Sequence, residues 1–310
     1  MPQAARFTLD QLLVLDAIVR TGSFAGAARE LHRVPSAVSY AVQALEEGIG
    51  VALFDRSGHR ASLTAAGRHL LAEARDLLAR ARKLDDLATI LGDGWEPDLQ
   101  IVVDGVVPVT PLLDALAVFG ARAIPTQIRI DVEYQDGVLE RFDRDQAQFM
   151  IALGLEDGGR LKGTPLAPLE MVLVAAPAHP LAAARGLTRD ALSAHVDLVV
   201  KDSSSAFAST PRQSFLGTSR VVRFADFHTK GAALRAGVGF GWMPLHLAEE
   251  DLARGALVII DLPEGNRWTY IPQLITRRDE RPGRAAALFM ELALASINKS
   301  ERVDRKEPLS

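Results

Sequence analysis

The amino-acid sequence predicts a mixed fold of α and α/β parts, in which a winged helix-turn-helix is joined by one long linker helix to a two-lobed α/β domain. Three observations carry that reading. Residues 21–63 place two short helical patterns ahead of a glycine-marked hairpin. Leu70, Leu77, Leu84 and Leu91 recur at heptad spacing. From Leu99 onward, short apolar strands alternate with helical stretches, the pattern of a parallel sheet covered by helices.

The first helix is expected over TLDQLLVLDAIVR, with Thr8 as N-cap and Leu9, Leu12, Leu13, Leu15, Ala17 and Val19 clustering at helical spacing. Ser23 caps a second, short helix to Leu31, whose Ala25, Gly26, Ala27 and Ala28 permit close helix approach. The third helix starts at Pro35 and reaches Glu46. Ala37, Val38, Ala41, Val42 and Leu45 form its core face, while Ser36, Ser39, Tyr40 and Gln43 point away. Those four are uncharged side chains able to hydrogen-bond with phosphate oxygens or base edges, which makes this a recognition helix. Beyond Gly48 and Gly50, the runs Val51 to Phe54 and Ala61 to Leu63 flank the turn Ser57-Gly58-His59 and form a wing. Arg56 and Arg60 on the wing, with Ser23, complete the candidate DNA-binding set.

Thr64 caps the long helix, in which Ala74, Ala81 and Ala88 take the alternate heptad position beside the four leucines. Such a narrow Leu/Ala seam suits pairing with a second helix; the alternative is a helix lying on its own domain. The stretch Gly92-Asp93-Gly94-Trp95-Glu96-Pro97 then marks a hinge. The predicted divisions are a DNA-binding domain over 1–64, a linker and dimerisation helix over 65–92, and an α/β domain over 97–310.

The segments TGSF, AARELH, SAVS, LEE, G-V-x-LFDR and LTAAG, in that order, resemble the N-terminal domain of the LysR-type transcriptional regulators. Pro35 stands where that family usually has Gln, and Tyr40 where Arg is frequent. The phrases LEMVLVAAPAHPLA, LRAGVGFGWMPLHLAEEDLARGALV and a late TRR before a helix resemble the family's effector domain. The resemblance implies a periplasmic-binding-protein type of fold for the C-terminal domain and a dimer made by the linker helix. A dimer would set two recognition helices on two half-sites of double-stranded DNA.

Composition bounds the function. At 48% hydrophobic and 24% charged residues the chain is globular, and no run approaches the roughly 18 to 20 apolar residues of a membrane span. The N-terminus MPQAARFTLDQ lacks a charged flank followed by an apolar stretch, so a cytoplasmic protein with no membrane partner is expected. The absence of cysteine excludes disulfides, thiolate nucleophiles and thiol redox sensing. The seven histidines share no metal-ligand spacing, so neither a metal nor another cofactor is expected. Residues 1–65 hold six arginines and six acidic groups, with Arg68, Arg75, Arg80, Arg82 and Lys83 following against Glu73 and Asp76. Placement of cations, not their total, must therefore supply the phosphate contacts.

In the C-terminal part, strands are expected at LQIVVD, IRIDVEY, FMIAL, MVLVA, VDLVV, RVVRF and ALVIID and over Tyr270 to Thr276. Helices are expected from after Pro108 to Ala121, Val138 to Phe142, His228 to Ala236, Leu245 to Ala253 and Pro282 to Ile297, with 298–310 disordered. Two lobes follow, the second inserted in the first: lobe I over 97–165 and 268–297, lobe II over 166–267. A cleft should lie between them.

Gly237, Gly239 and Gly241 spell GxGxG, but they close a helix and open a strand, the reverse of a phosphate loop, so a turn is expected. Ser203, Ser204 and Ser205 follow an apolar strand, at the end where open α/β sheets bind ligands. No G-x-S-x-G elbow surrounds them, so they bind and do not react. Asp104, Val106, Val107 and Thr110 form the loop after the first strand, where the resemblance implies a hydroxyl contact to the effector. Asp104 disfavours a carboxylate ligand, which points to a small apolar, phenolic or cationic effector. Phe227 and His228 open a helix on the second lobe and complete the candidate set. The reading is a DNA-binding regulator that binds and does not catalyse, as a dimer that the effector domains extend to a tetramer. The alternatives are a solute-binding protein or a small-molecule enzyme built on the C-terminal domain.

Overall fold

A computed structural model describes residues 5–57, 61–154, 159–205, 220–263 and 265–304, with side chains described as far as Ile297. The chain divides into two compact units, one ending at Asp93 and the other starting at Gly94.

The first unit opens with α1 (Leu9–Thr21), started by a capping box in which Thr8 and Gln11 satisfy each other's backbone amides. Helix α2 (Phe24–Glu30) is capped by Ser23, whose Oγ accepts from the Gly26 amide at 3.0 Å. Helix α3 (Pro35–Ile49) has Pro at its first position and ends on Gly50, whose φ of 78° is the left-handed conformation that glycine adopts without strain. Strands β1 (Phe54–Asp55) and β2 (Ser62–Leu63) pair antiparallel as the wing, shorter than the predicted runs. The shortening has a cause: the Leu53 and Phe54 amides are taken by Glu46 Oε1, at 2.7 and 3.0 Å, and the Leu53 carbonyl by Thr64. Arg60 lies outside the described residues. Helix α4 (Ala65–Gly92) follows, capped by Thr64.

The core of this unit is built from Val14, Leu15, Val38, Val42, Leu45 and Leu53 beneath Leu71, Ala74 and Leu78. Four expectations need correcting here. Ala37, Leu9 and Leu13, assigned to apolar packing faces, are exposed, and Ala74, assigned to the heptad seam, is buried on its own domain.

The second unit holds two sheets. Strands β3 (Asp98–Asp104), β4 (Gln127–Glu133), β5 (Phe149–Leu153) and β6 (Leu161–Pro165) belong to the first, with α5 (Thr110–Ala121) and α6 (Asp136–Arg144) between them. The second sheet takes β7 (Leu169–Ala175), β8 (Asp197–Val200), β9 (Val221–Phe224), β10 (Phe240–Pro244), β11 (Val258–Ile259) and β12 (Arg267–Tyr270). Helices α7 (Pro180–Ala183), α8 (Arg189–Ser193), α9 (Phe227–Arg235) and α10 (Leu245–Ala253) connect them. The chain then returns to the first sheet with β13 (Pro272–Arg277) and ends in α11 (Arg284–Asp304). The orders are β4-β3-β5-β13-β6 and β11-β7-β10-β8-β9, with β12 also on β7. The β3, β4 and β5 pairings are parallel, as are β8 with β9 and β10, while β7 and β13 run antiparallel to their neighbours.

The predicted single strand from Tyr270 to Thr276 is two strands, split at Ile271, because the chain changes sheets there. Strand β6 carries no sequence signal, since LKGTP buries only Leu161 and has no apolar alternation. Helix α11 runs to Asp304, so the disorder predicted from residue 298 does not begin there; 305–310 lie outside the described residues. Among the described residues no helix is long and apolar enough to cross a membrane.

The glycines of GxGxG serve packing, as expected of a turn and strand. Gly237 leaves α9 with φ 73°, and a Cβ on Gly239 or Gly241 would strike the carbonyl oxygen of Val196 or Leu198 on the adjoining strand. Gly239→Val should therefore destabilise the second unit by about 1 to 3 kcal/mol, the usual cost of overpacking. Urea unfolding of the full chain measures this, and an unchanged midpoint would contradict the close approach.

Candidate functional site

Two regions collect the predicted residues. On α3, Ser36, Ser39, Tyr40 and Gln43 are all exposed, Tyr40 to 74%. No side chain caps this helix: Pro35 at its first position has no amide to satisfy, and the Ala37 and Val38 amides donate to the Val34 carbonyl at 3.0 and 3.4 Å. Gln43 donates to Glu47 at 2.9 Å. Glu46 joins helix and wing: while one oxygen accepts from the wing backbone, the other lies 3.3 Å from the exposed Arg56 guanidinium. Ser23, by contrast, is engaged as the α2 cap. Further along, Leu70, Leu77, Leu84 and Leu91 are exposed on α4 at 37%, 40%, 66% and 56%, an unpartnered apolar stripe in this single chain.

In the second unit a cavity of about 100 Å³ draws its walls from both sheets. Asp104, Val106 and Phe227 line it, as do Tyr134, Gln135, Lys230, Trp242, Trp268 and Tyr270, none of which was singled out from sequence. The other candidates lie elsewhere. Val107 packs against the core of the first lobe, while Thr110 is the exposed first residue of α5 and His228 is exposed on α9. Ser203 Oγ accepts from the Tyr134 amide at 2.9 Å, and its own amide donates to the Tyr134 carbonyl at 3.2 Å. The Ser204 amide turns back to Asp202 and the Ser205 amide donates to Glu140. The serine run therefore clasps the opposite lobe at the start of α6. Gln135, at a φ of 57° that residues with a Cβ seldom adopt, donates across the same junction to the Val200 carbonyl at 3.2 Å.

Lys230 is the unusual wall. Its helix buries Phe227, Lys230, Gly231 and Leu234, an i, i+3, i+4, i+7 stripe in which a lysine occupies an apolar position. That periodicity was the signal available in the sequence. Its Nζ donates to the Trp242 carbonyl at 2.6 Å and lies 5.5 Å from the Phe227 ring centre. Burial lowers its pKa to about 7, against the opposing attraction of Asp197. Asp104 is only 3% exposed, and its Oδ1 accepts from the Val106 amide at 3.1 Å. Burial, aided by the Asp104 charge, raises the Tyr270 hydroxyl well above the usual phenol range; this hydroxyl donates to the Val106 carbonyl at 3.0 Å. Tyr134 is raised chiefly by burial too, and its ring meets Phe227 edge-on at 5.8 Å. The pocket can thus hold a small, mostly apolar ligand against a few fixed polar groups.

Residues 9–68 match the family described as bacterial regulatory helix-turn-helix protein, lysR family, and residues 92–297 match the LysR substrate binding domain. The probable HTH-type transcriptional regulator YhaJ of Escherichia coli K12 is 39% identical over 271 residues, 84% of this chain and 88% of its own. The HTH-type transcriptional regulator PunR of the same strain is 32% identical over 254 residues, 81% of this chain and 82% of its own. The solved structure of a Corynebacterium glutamicum OxyR C206 mutant shares the fold at a TM-score of 0.66 and 22% identity, covering 95% of this chain and 93% of that one.

The buried lysine makes stability depend on pH. Its folded pKa of about 7 is below the unfolded value of 10.5, so between those limits the unfolded chain binds the extra proton and stability rises with pH. Lys230→Met removes this term, so its stability relative to the parent should be greatest near pH 6 and decline toward pH 10. Urea titrations of both proteins at several pH values test the sign; a gap that widens with pH would contradict it.

Proposed function

The chain belongs to the LysR-type transcriptional regulators, and from that premise we propose that α3 and the wing bind double-stranded DNA while the pocket between the two sheets binds a small-molecule effector. Tyr40, Ser36, Ser39 and Gln43 read the major groove, and Arg56 reaches a phosphate beside the uncapped helix start. The exposed leucine stripe of α4 pairs two chains, and the effector domains add a second interface to make a tetramer. The protein works in the cytoplasm by binding and not by catalysis.

One observation carries the effector reading: the cavity takes walls from strands of both sheets, Asp104 from one and Trp242 from the other. A ligand there interacts differently with different lobe arrangements, which is the condition for shifting a conformational equilibrium and, through it, DNA affinity. Asp104 within the walls disfavours strongly anionic ligands. A metabolite screen by thermal shift on the parent and on Asp104→Ala tests the site; hits that stabilise both proteins equally would move the pocket elsewhere.

Arg56→Ala should weaken binding to every DNA sequence and reduce the slope of log affinity against log salt by about 1, whereas Tyr40→Ala should alter sequence preference. Binding titrations over a salt series separate these effects, and two variants indistinguishable from the parent would refute the placement. Replacing Leu77 and Leu84 together by Lys puts charge into the seam, so residues 1–92 should sediment as a monomer in place of a dimer. An unchanged dimer in that variant would rule out the seam.

A further inference from the structure

We propose that α3 reads thymine methyl groups, so that the DNA half-site presents A·T pairs, and not G·C pairs, to the start of this helix. This deepens the DNA reading of α3 and rests on it. The first observation is a row of exposed apolar side chains. Val34 is 63% exposed and Tyr40 74%, and Ala37 between them is exposed where the apolar pattern assigned it to the core. Their spacing of three residues sets them along one side of the helix, beginning at Val34, its N-cap. In a helix-turn-helix, the N-terminal residues of the second helix are the ones that reach base edges in the major groove.

The chemistry of the groove selects the base. Thymine carries a C5-methyl on its major-groove edge, and small apolar or aromatic side chains are the groups that contact it. An exposed apolar side chain gains by leaving water against that methyl. Against a G·C edge the same side chain would strip water from donors and acceptors and offer them no partner.

The second observation concerns the groups that read guanine. Helix α3, PSAVSYAVQALEEGI, contains no Arg or Lys to bond guanine O6 and N7. Arg33, just ahead of it, has both terminal nitrogens donating to Asp10, at 2.8 and 2.6 Å. Pro35 and Tyr40 stand where the family usually has Gln and frequently Arg, so this chain offers ring surface at positions where other members offer hydrogen-bonding groups. The exposed Gln43 agrees with an A·T pair: it gives one N–H to Glu47, and its carbonyl and second N–H are the groups that adenine N6 and N7 take.

The test starts from the duplexes that the full chain retains out of a random-sequence pool. In the duplex retained best, each thymine of the shared half-site is replaced singly by deoxyuridine, which removes only the C5-methyl. At one position or more the parent should then bind about fourfold more weakly, the worth of one buried methyl. Val34→Ser and Ala37→Ser exchange apolar for hydroxyl surface at exposed positions, and Ser at the N-cap also favours the helix. Combined, they should abolish the preference for thymine at one such position and leave affinity for the uracil duplex within about twofold. Equal binding of thymine and uracil duplexes at every position would overturn the methyl reading while leaving α3 as the DNA-binding helix. G·C pairs at the positions whose preference Tyr40→Ala alters would overturn it as well. Retained duplexes with no shared sequence, or a Tyr40→Ala selection identical to the parent's, would remove the placement of α3 and this inference with it. The thymine and uracil comparison on the parent decides the question even if a substituted protein fails to fold.

Discussion

The C-terminal unit depends on one constraint: its chain passes between two sheets twice, once after β6 and once at Ile271, and both passages must close on the same junction. A single residue separates β12, paired with β7, from β13, paired with β5. The strand ends are thereby forced together, and the cavity is the space left where they meet. Tyr270, the last residue before the second passage, spans the gap by donating to the Val106 carbonyl. On the other side, the Ser203 clasp on Tyr134 is so close that a Cβ on Gly137 would run into Ser203. Any ligand that rearranges the lobes works against these few hydrogen bonds, each worth about 1 kcal/mol.

Charge in the cavity follows from the same enclosure. Excluding water raises the cost of every charge, so Lys230 is pushed toward its neutral form and the tyrosines are held protonated. Asp104 keeps its place by accepting a backbone amide from its own loop. The result is a pocket whose polar groups are few, fixed and of both signs, set among aromatic rings. Such a site discriminates through the position of one or two heteroatoms, because the hydrophobic remainder binds any ring of suitable size.

The N-terminal unit solves a different problem, that of holding a wing too short to be stable alone. Its two-residue strands are anchored because Glu46, near the end of α3, accepts two wing amides and lies beside Arg56. A carboxylate on α3 thus serves architecture and cation placement together. Arg33 with Asp10, Arg20 with Glu30 and Arg75 with Asp16 form further ion pairs on this unit. This accounts for the balanced charge of the unit: much of its cation content is answered by carboxylates within the fold.

Local chemistry was legible in the sequence alone. Thr8, Ser23 and Thr64 start helices because a short hydroxyl side chain reaches the amide three residues on, an interaction settled within one turn. The heptad leucines, the alternation of strand and helix and the reversed GxGxG were equally local, and they sufficed for the architecture and for Asp104, Val106 and Phe227 at the cavity. What only the tertiary structure decided was the partner of each polar group. Ser203 had the position of a ligand contact, yet its hydroxyl is matched by Tyr134, far away in sequence. Lys230 had the composition of a solvated helix residue, and only the packing of α9 against β10 encloses its amine beside Trp242. Caps and periodicities are set by residues a turn or two apart, whereas burial and hydrogen-bond satisfaction depend on which distant segments the fold brings together.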